Sequence, residues 1–168
     1  MNRNIGRGLI VIGMLMLGFL FANTSLASER KSSGKEVDMV VYDFEITRVI
    51  DGDTVAFRAD FLPEPLKQEL SIRVYGVDTP EKSWRAECES EAAWGEQASQ
   101  FTKDQLNNAN TIQVAIYKWD KFGGRVLGDI IIDGNSLRHM LIDNGFAREY
   151  YGDKKESWCS WQLSKSNI

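Results

Sequence analysis

The sequence predicts an α+β domain that is mainly β: a five-stranded Greek-key barrel with two packed helices. Three observations predict it. Five short segments alternate polar with apolar residues, the period of a half-buried strand. Only two stretches, 91–108 and 136–144, carry helical periodicity. The order is three strands, a helix, two strands and a helix, as in barrels of the oligonucleotide-binding (OB) type. An open α+β sandwich shares that order, so order alone does not separate the two.

The first strand is expected over Asp43 to Thr47, with Phe44 and Ile46 on one face. Asp51-Gly52 is a turn signal, and Asp53 to Arg58 reads as the returning strand of a hairpin. Pro63 and Pro65 mark a loop. Ser71 to Val77 is a third strand, in which Ile72 and Val74 face away from Ser71, Arg73 and Tyr75. A polar loop from Asp78 to about Glu89 leads into the first helix. At about 100° per residue, Trp94, Ala98, Phe101, Leu106 and Ala109 share an arc of roughly 140°, which predicts its buried side. Ile112, Val114 and Ile116 alternate through a fourth strand, and Gly123-Gly124 breaks the chain before a fifth, Val126 to Ile132. The second helix has Ser136 as N-cap and ends at Gly145, with His139 on its surface.

Ahead of this domain, Arg3 and Arg7 precede an apolar run from Gly8 to Ala22, followed by Ser25-Leu26-Ala27. That is the layout of a secretory signal peptide over 1–27, which implies a secreted or periplasmic product; an uncleaved membrane anchor is the alternative. Residues 28–40 open on a polar leader, and 41–152 form the domain, followed by a tail over 153–168. The signal peptide holds two of the 20 basic residues and none of the 24 acidic ones, so the remaining chain has a formal charge of −6. Tight passive binding of duplex nucleic acid needs a basic face. A nucleic-acid enzyme of this charge must instead concentrate cations locally and use a bound metal. Cys88 and Cys159 are the only cysteines, and export favours a disulfide between them over two free thiols. With a single histidine they cannot form a closed zinc site without carboxylate help.

Three segments carry chemistry: Val49 to Val55 (V-I-D-G-D-T-V), Arg73 with Val77 to Glu81 (V-D-T-P-E), and Asp120 to Arg125 (D-K-F-G-G-R). Carboxylates at the end of one hairpin (Asp51, Asp53) and of the next strand (Asp78, Glu81) can converge into a set of hard oxygen ligands suited to Ca²⁺ or Mg²⁺. Arg73 and Arg125 lie near the same strand ends, and guanidinium forks match phosphate oxygens. A metal, two arginines and one spare carboxylate are the parts needed for phosphodiester hydrolysis.

In this order and spacing the segments resemble the staphylococcal nuclease (thermonuclease) family. The resemblance runs from about Phe44 to Tyr151 and includes the helical stretch Gly95 to Lys103 (G-E-Q-A-S-Q-F-T-K). It implies that Asp53 and Asp78 are calcium carboxylates, with the Thr79 carbonyl as a further ligand. Glu81 would orient or deprotonate the attacking water, and Arg73 and Arg125 would hold the scissile phosphate. Asp51 would tune the site, while Lys121 and Tyr151 would lie near the substrate's terminal phosphate and nucleoside. It implies Ca²⁺ as cofactor and cleavage of DNA and RNA, preferably single-stranded, to 3′-phosphate products by a monomer. Two departures stand out. Gly123-Gly124 adds one residue before Arg125, and the chain ends soon after Tyr151, where a Cys88–Cys159 bridge would hold the short tail. Trp84, Trp158 and Trp161 lie near polar loops, either to stack on bases or to pack around that bridge.

Two rival functions remain. A non-catalytic OB-type module would bind single strands without cutting them. Asp51-x-Asp53 also resembles the first motif of haloacid dehalogenase-type phosphatases, which requires a doubly wound parallel sheet. An EF-hand is excluded by ligand spacing.

Overall fold

The computed structural model describes residues 38–66 and 68–160. The expected signal peptide, the leader up to residue 37 and the end of the tail, with Trp161, lie outside them. The chain forms β1 (Val40–Tyr42), β2 (Ile46–Asp51), β3 (Thr54–Arg58), β4 (Glu69–Val74), β5 (Val77–Asp78), a 3-10 turn (Ser83–Arg85) and α1 (Glu89–Asn107). Then follow β6 (Ile112–Trp119), β7 (Arg125–Ile132), β8 (Asn135–Ser136), α2 (Leu137–Asp143) and β9 (Arg148–Glu149). The main sheet runs β1-β6-β7-β4-β3-β2, with β8 beside β7, and β5 pairs separately with β9.

The five expected strands are β2, β3, β4, β6 and β7. β2, β3 and β4 are consecutive and antiparallel, whereas β4 pairs with β7 in parallel, because α1 and β6 intervene before the chain returns. This mixed sheet is the OB-type α+β arrangement, and it is not the doubly wound parallel sheet that the phosphatase reading requires. Four successive residues of β3, Thr54 to Phe57, are buried, so the sheet is covered on both faces there. Gly128 marks the tightest curl: a Cβ at this position would lie 1.9 Å from the Ala115 carbonyl of the neighbouring strand. The core is mainly aliphatic, with Ile72, Ile130, Leu137 and Leu141 fully buried around one aromatic ring, Phe57.

The first strand begins three residues later than expected, at Ile46. Phe44 is half-buried by stacking on Phe57, at 5.1 Å between ring centroids, and not by membership of the strand. β2 then continues to Asp51, and a register shift after Val49 leaves Gly52 and Asp53 as the two turn residues. β4 stops at Val74, where Tyr75 and Gly76 turn the chain before β5.

Helix α1 departs most from its expected face. Its buried residues are Glu91, Gly95, Ala98, Ser99, Thr102 and Leu106, a stripe of small and polar side chains, while Trp94 and Phe101 are half-buried. The stripe is small because backbone lies directly beneath it. A Cβ on Gly52 would come within 2.8 Å of the Ala98 side chain, and one on Gly95 within 2.5 Å of the Glu81 carbonyl. The Thr102 hydroxyl donates to the Gly52 carbonyl at 2.6 Å. Helix α1 thus clamps the Asp51-Gly52-Asp53 turn on one side and the Pro80-Glu81 backbone on the other.

Cys88, the N-cap residue of α1, forms a disulfide with Cys159 across a sequence separation of 71. Closing a loop of that size stabilises the folded chain by about 4 kcal/mol. Reduction should therefore lower the melting temperature by roughly 10–20 °C, and a melt unaffected by reductant would contradict this.

Candidate active site

Asp53 sits in the turn between β2 and β3 and is 1% exposed; Asp78 ends β5 and is fully buried. Thr79 follows it, also buried, with its methyl group against Gly52. A buried carboxylate must be paired or must bind a metal. Asp53 Oδ1 accepts from Thr54 Oγ1 at 2.8 Å and from Arg73 Nη1 at 3.1 Å. Arg73 Nη2 lies 2.8 Å from Asp53 Oδ2 and 3.8 Å from Asp78 Oδ1, so one guanidinium nitrogen faces both carboxylates. Alternation along β4 puts Arg73 there, since Leu70, Ile72 and Val74 take the core side.

Asp53 Oδ2 and Asp78 Oδ1 are buried, and only cationic side chains meet them. Asp53 Oδ2 lies against Arg73, and Asp78 Oδ1 lies 2.6 Å from Lys155 Nζ. Two buried carboxylate oxygens that face only positive charge fit a hard divalent cation, which takes oxygen ligands. Asp51 does not join them. Arg85 Nη2 spans its two oxygens at 2.9 and 2.7 Å, and Lys82 approaches at 3.8 Å. The hydrogen bond to Asp51 is also what raises the Arg85 pKa above its ordinary value.

Beside these carboxylates lies an open cleft of about 530 Å³. Arg73, Arg85, Lys121, Arg125 and Lys155 line it, which concentrates positive charge on an acidic chain. Gly123 and Gly124 form the turn ahead of Arg125. Gly124 has φ +76°, its carbonyl accepts from the Ser71 N–H at 3.0 Å, and Arg125 begins β7 opposite Ser71. Asp120 holds Arg125 through Nε at 2.5 Å, and the guanidinium stacks 4.8 Å from the Phe122 ring. Lys121 is exposed at the rim. Tyr151 lines the cleft, with its hydroxyl accepting from Arg138 at 2.8 Å.

The Glu81 carboxylate faces the same cleft between Arg85 Nε and Lys155 Nζ, each at 3.5 Å. Its backbone is fixed from below by Glu91, a buried α1 carboxylate that accepts from the Glu81 N–H at 3.2 Å and the Glu87 N–H at 2.7 Å. Gly95 completes that seat. Gly95→Ala should lower the rate by up to about 10²-fold, since a displacement near 1 Å can have that effect. The overlap is with backbone, so the change should cost about 1–3 kcal/mol, partly offset by the helix's preference for alanine; a melting temperature a few degrees lower with depressed kcat/KM is the expected pair, and full activity would contradict it.

Several of these residues carried no sequence signal. Glu91 reads as an ordinary first-turn acid. Lys155 and Arg148 fall in or beside the expected tail, yet Lys155 touches Asp78, and Arg148 Nη2 donates to Asp78 Oδ2 at 3.0 Å. Burial opposes the charge on Lys155, but Asp78 outweighs it and holds the ammonium pKa above the usual lysine value. Base stacking by Trp158 is ruled out: it is 3% exposed and lies edge-on to Trp94. Trp84 is 89% exposed. Cys88, Glu91 and Cys159 also lie within ligand distance of one another, but the two sulfurs are bonded together and offer no thiolate.

Fold and site together define an OB-type α+β domain with a carboxylate pair and two arginines at one cleft. The profile of the family described as Staphylococcal nuclease homologue matches residues 71–166, and the chain belongs to that family. It is 30% identical to Endonuclease YhcR of Bacillus subtilis (strain 168) over 131 residues, 73% of this chain and 10% of that protein. It is 32% identical to Endonuclease YncB of the same strain over 108 residues, 63% of this chain and 47% of that one. It is 26% identical to the Thermonuclease of Staphylococcus hyicus over 151 residues, 87% and 81% of the two chains. The chain thus spans a tenth to about half of the length of the Bacillus relatives.

Proposed function

We propose that the chain is a calcium-dependent nuclease that hydrolyses phosphodiester bonds of DNA and RNA, preferably single-stranded, to 3′-phosphate products. The observation that carries this reading is the pair of buried oxygens, Asp53 Oδ2 and Asp78 Oδ1, which face only cations and meet the cleft through Arg73 and Lys155. Asp53 and Asp78, with the Thr79 carbonyl, would hold Ca²⁺. The ion supplies charge stabilisation at the phosphate and a template for substrate.

The chain's own residues divide the remaining work. Arg73 and Arg125 bind the non-bridging phosphate oxygens and oppose the charge that builds on them as the transition state forms. Glu81 orients a water and accepts its proton as the oxygen attacks phosphorus. The bond from phosphorus to the 5′ oxygen breaks, which leaves a 3′-phosphate and a 5′-hydroxyl. Lys121 and Tyr151, at the rim and wall of the cleft, position the neighbouring phosphate and nucleoside. The net charge argues against a passive binding module, because the chain is acidic and only five of its 20 basic residues line the cleft. The basic and apolar opening of the sequence supports a secreted or periplasmic product.

Product chemistry tests the proposal. A labelled single-stranded oligonucleotide digested with Ca²⁺ should give fragments whose 3′ ends are sensitive to phosphatase. Fragments bearing 5′-phosphates, or binding without cleavage, would overturn it.

A further inference from the structure

Asp78 is fully buried, and its two oxygens have different surroundings. Oδ2 accepts two hydrogen bonds, from Trp158 Nε1 at 2.9 Å and from Arg148 Nη2 at 3.0 Å. Oδ1 faces only cations. Trp158 is itself fixed on several sides. The Arg148 guanidinium stacks 4.4 Å from its ring centre, Trp94 meets it edge-on at 5.2 Å, and the next residue is tied to Cys88 at the start of α1. A carboxylate held by two immobile donors on one oxygen cannot rotate, and its other oxygen points in one direction.

We infer that Trp158 is a positioning residue for Asp78: its indole N–H fixes Oδ2 so that Oδ1 is presented to a divalent cation. The inference rests on the calcium reading above and extends it to the segment after Tyr151. The chemistry suits the task. An indole N–H is a donor without charge or acceptor capacity, so it orients the ligand without repelling the arriving dication. Partners that orient metal ligands in this way typically account for about 10–100-fold in metal affinity. The disulfide then has a role beyond stability, because it anchors the donor.

The test is calorimetric titration of Ca²⁺ into the full protein and into Trp158→Phe, which keeps an aromatic ring beside Trp94 and removes the N–H donor. With both folded in chelator by circular dichroism, the variant should bind Ca²⁺ about 10–100-fold more weakly. A folded variant with wild-type affinity would overturn the inference and leave the calcium reading intact. A wild-type protein that takes no heat from Ca²⁺ would overturn the calcium reading itself. If Trp158→Phe does not fold, the indole N–H resonance of Trp158 in the wild-type protein decides. It should shift in step with Ca²⁺ saturation, and a resonance that stays fixed through saturation would overturn the inference.

Discussion

Arg73→Ala and Arg125→Ala are each expected to lower kcat/KM on a single-stranded substrate by about 10³–10⁵, the range of arginines that stabilise phosphoryl-transfer transition states. The two variants should differ in stability. Arg73 is the cation against Asp53 Oδ2, and its removal leaves that buried carboxylate uncompensated. A loss of about 3–5 kcal/mol is expected without metal, as for other broken buried pairs, and Ca²⁺ should recover part of it. Arg125 pairs with Asp120, which keeps a hydrogen bond from the Lys121 N–H, so its variant should melt nearer to wild type. Parallel pairing of Arg125 with Ser71 predicts that the added glycine leaves the guanidinium in place. A loss of tenfold or less in Arg125→Ala would mean that it has been displaced.

The second large effect is expected at Glu81. Glu81→Gln keeps the shape of the side chain and removes its capacity to take a proton, so the rate should fall by about 10²–10⁴. Stability should hardly change. The carboxylate is partly exposed and its two ion pairs are 3.5 Å long, whereas the loop is seated through the backbone N–H by Glu91. Measuring kcat at saturating Ca²⁺ separates loss of the base from any loss of metal, and a wild-type kcat would remove Glu81 from the mechanism.

The strand order and the hairpin were legible because period-two patterning is a local signal, written most clearly in Leu70-Ser71-Ile72-Arg73-Val74. The meeting of Asp53, Asp78 and Arg73 was legible because each lies in a turn or near the end of a strand where the chain reverses. What the sequence concealed acts through surfaces far apart in the chain. The buried stripe of α1 follows backbone contacts, so beside the expected Ala98 and Leu106 it selects Gly95, Ser99 and Thr102 where hydrophobicity pointed to Trp94 and Phe101. Lys155 and Trp158 looked like parts of a tail, since nothing local connects residue 158 with Asp78. Only the Cys88–Cys159 pairing hinted that the tail returns to the site.

The most direct test of the central claim is cleavage of single-stranded DNA and RNA by the wild-type protein in Ca²⁺ and in excess chelator. Cutting of both in Ca²⁺, loss of it in chelator and its return when Ca²⁺ is restored are expected. Cleavage that persists in chelator, or no cleavage with Ca²⁺ present, would contradict a site built on Asp53 and Asp78.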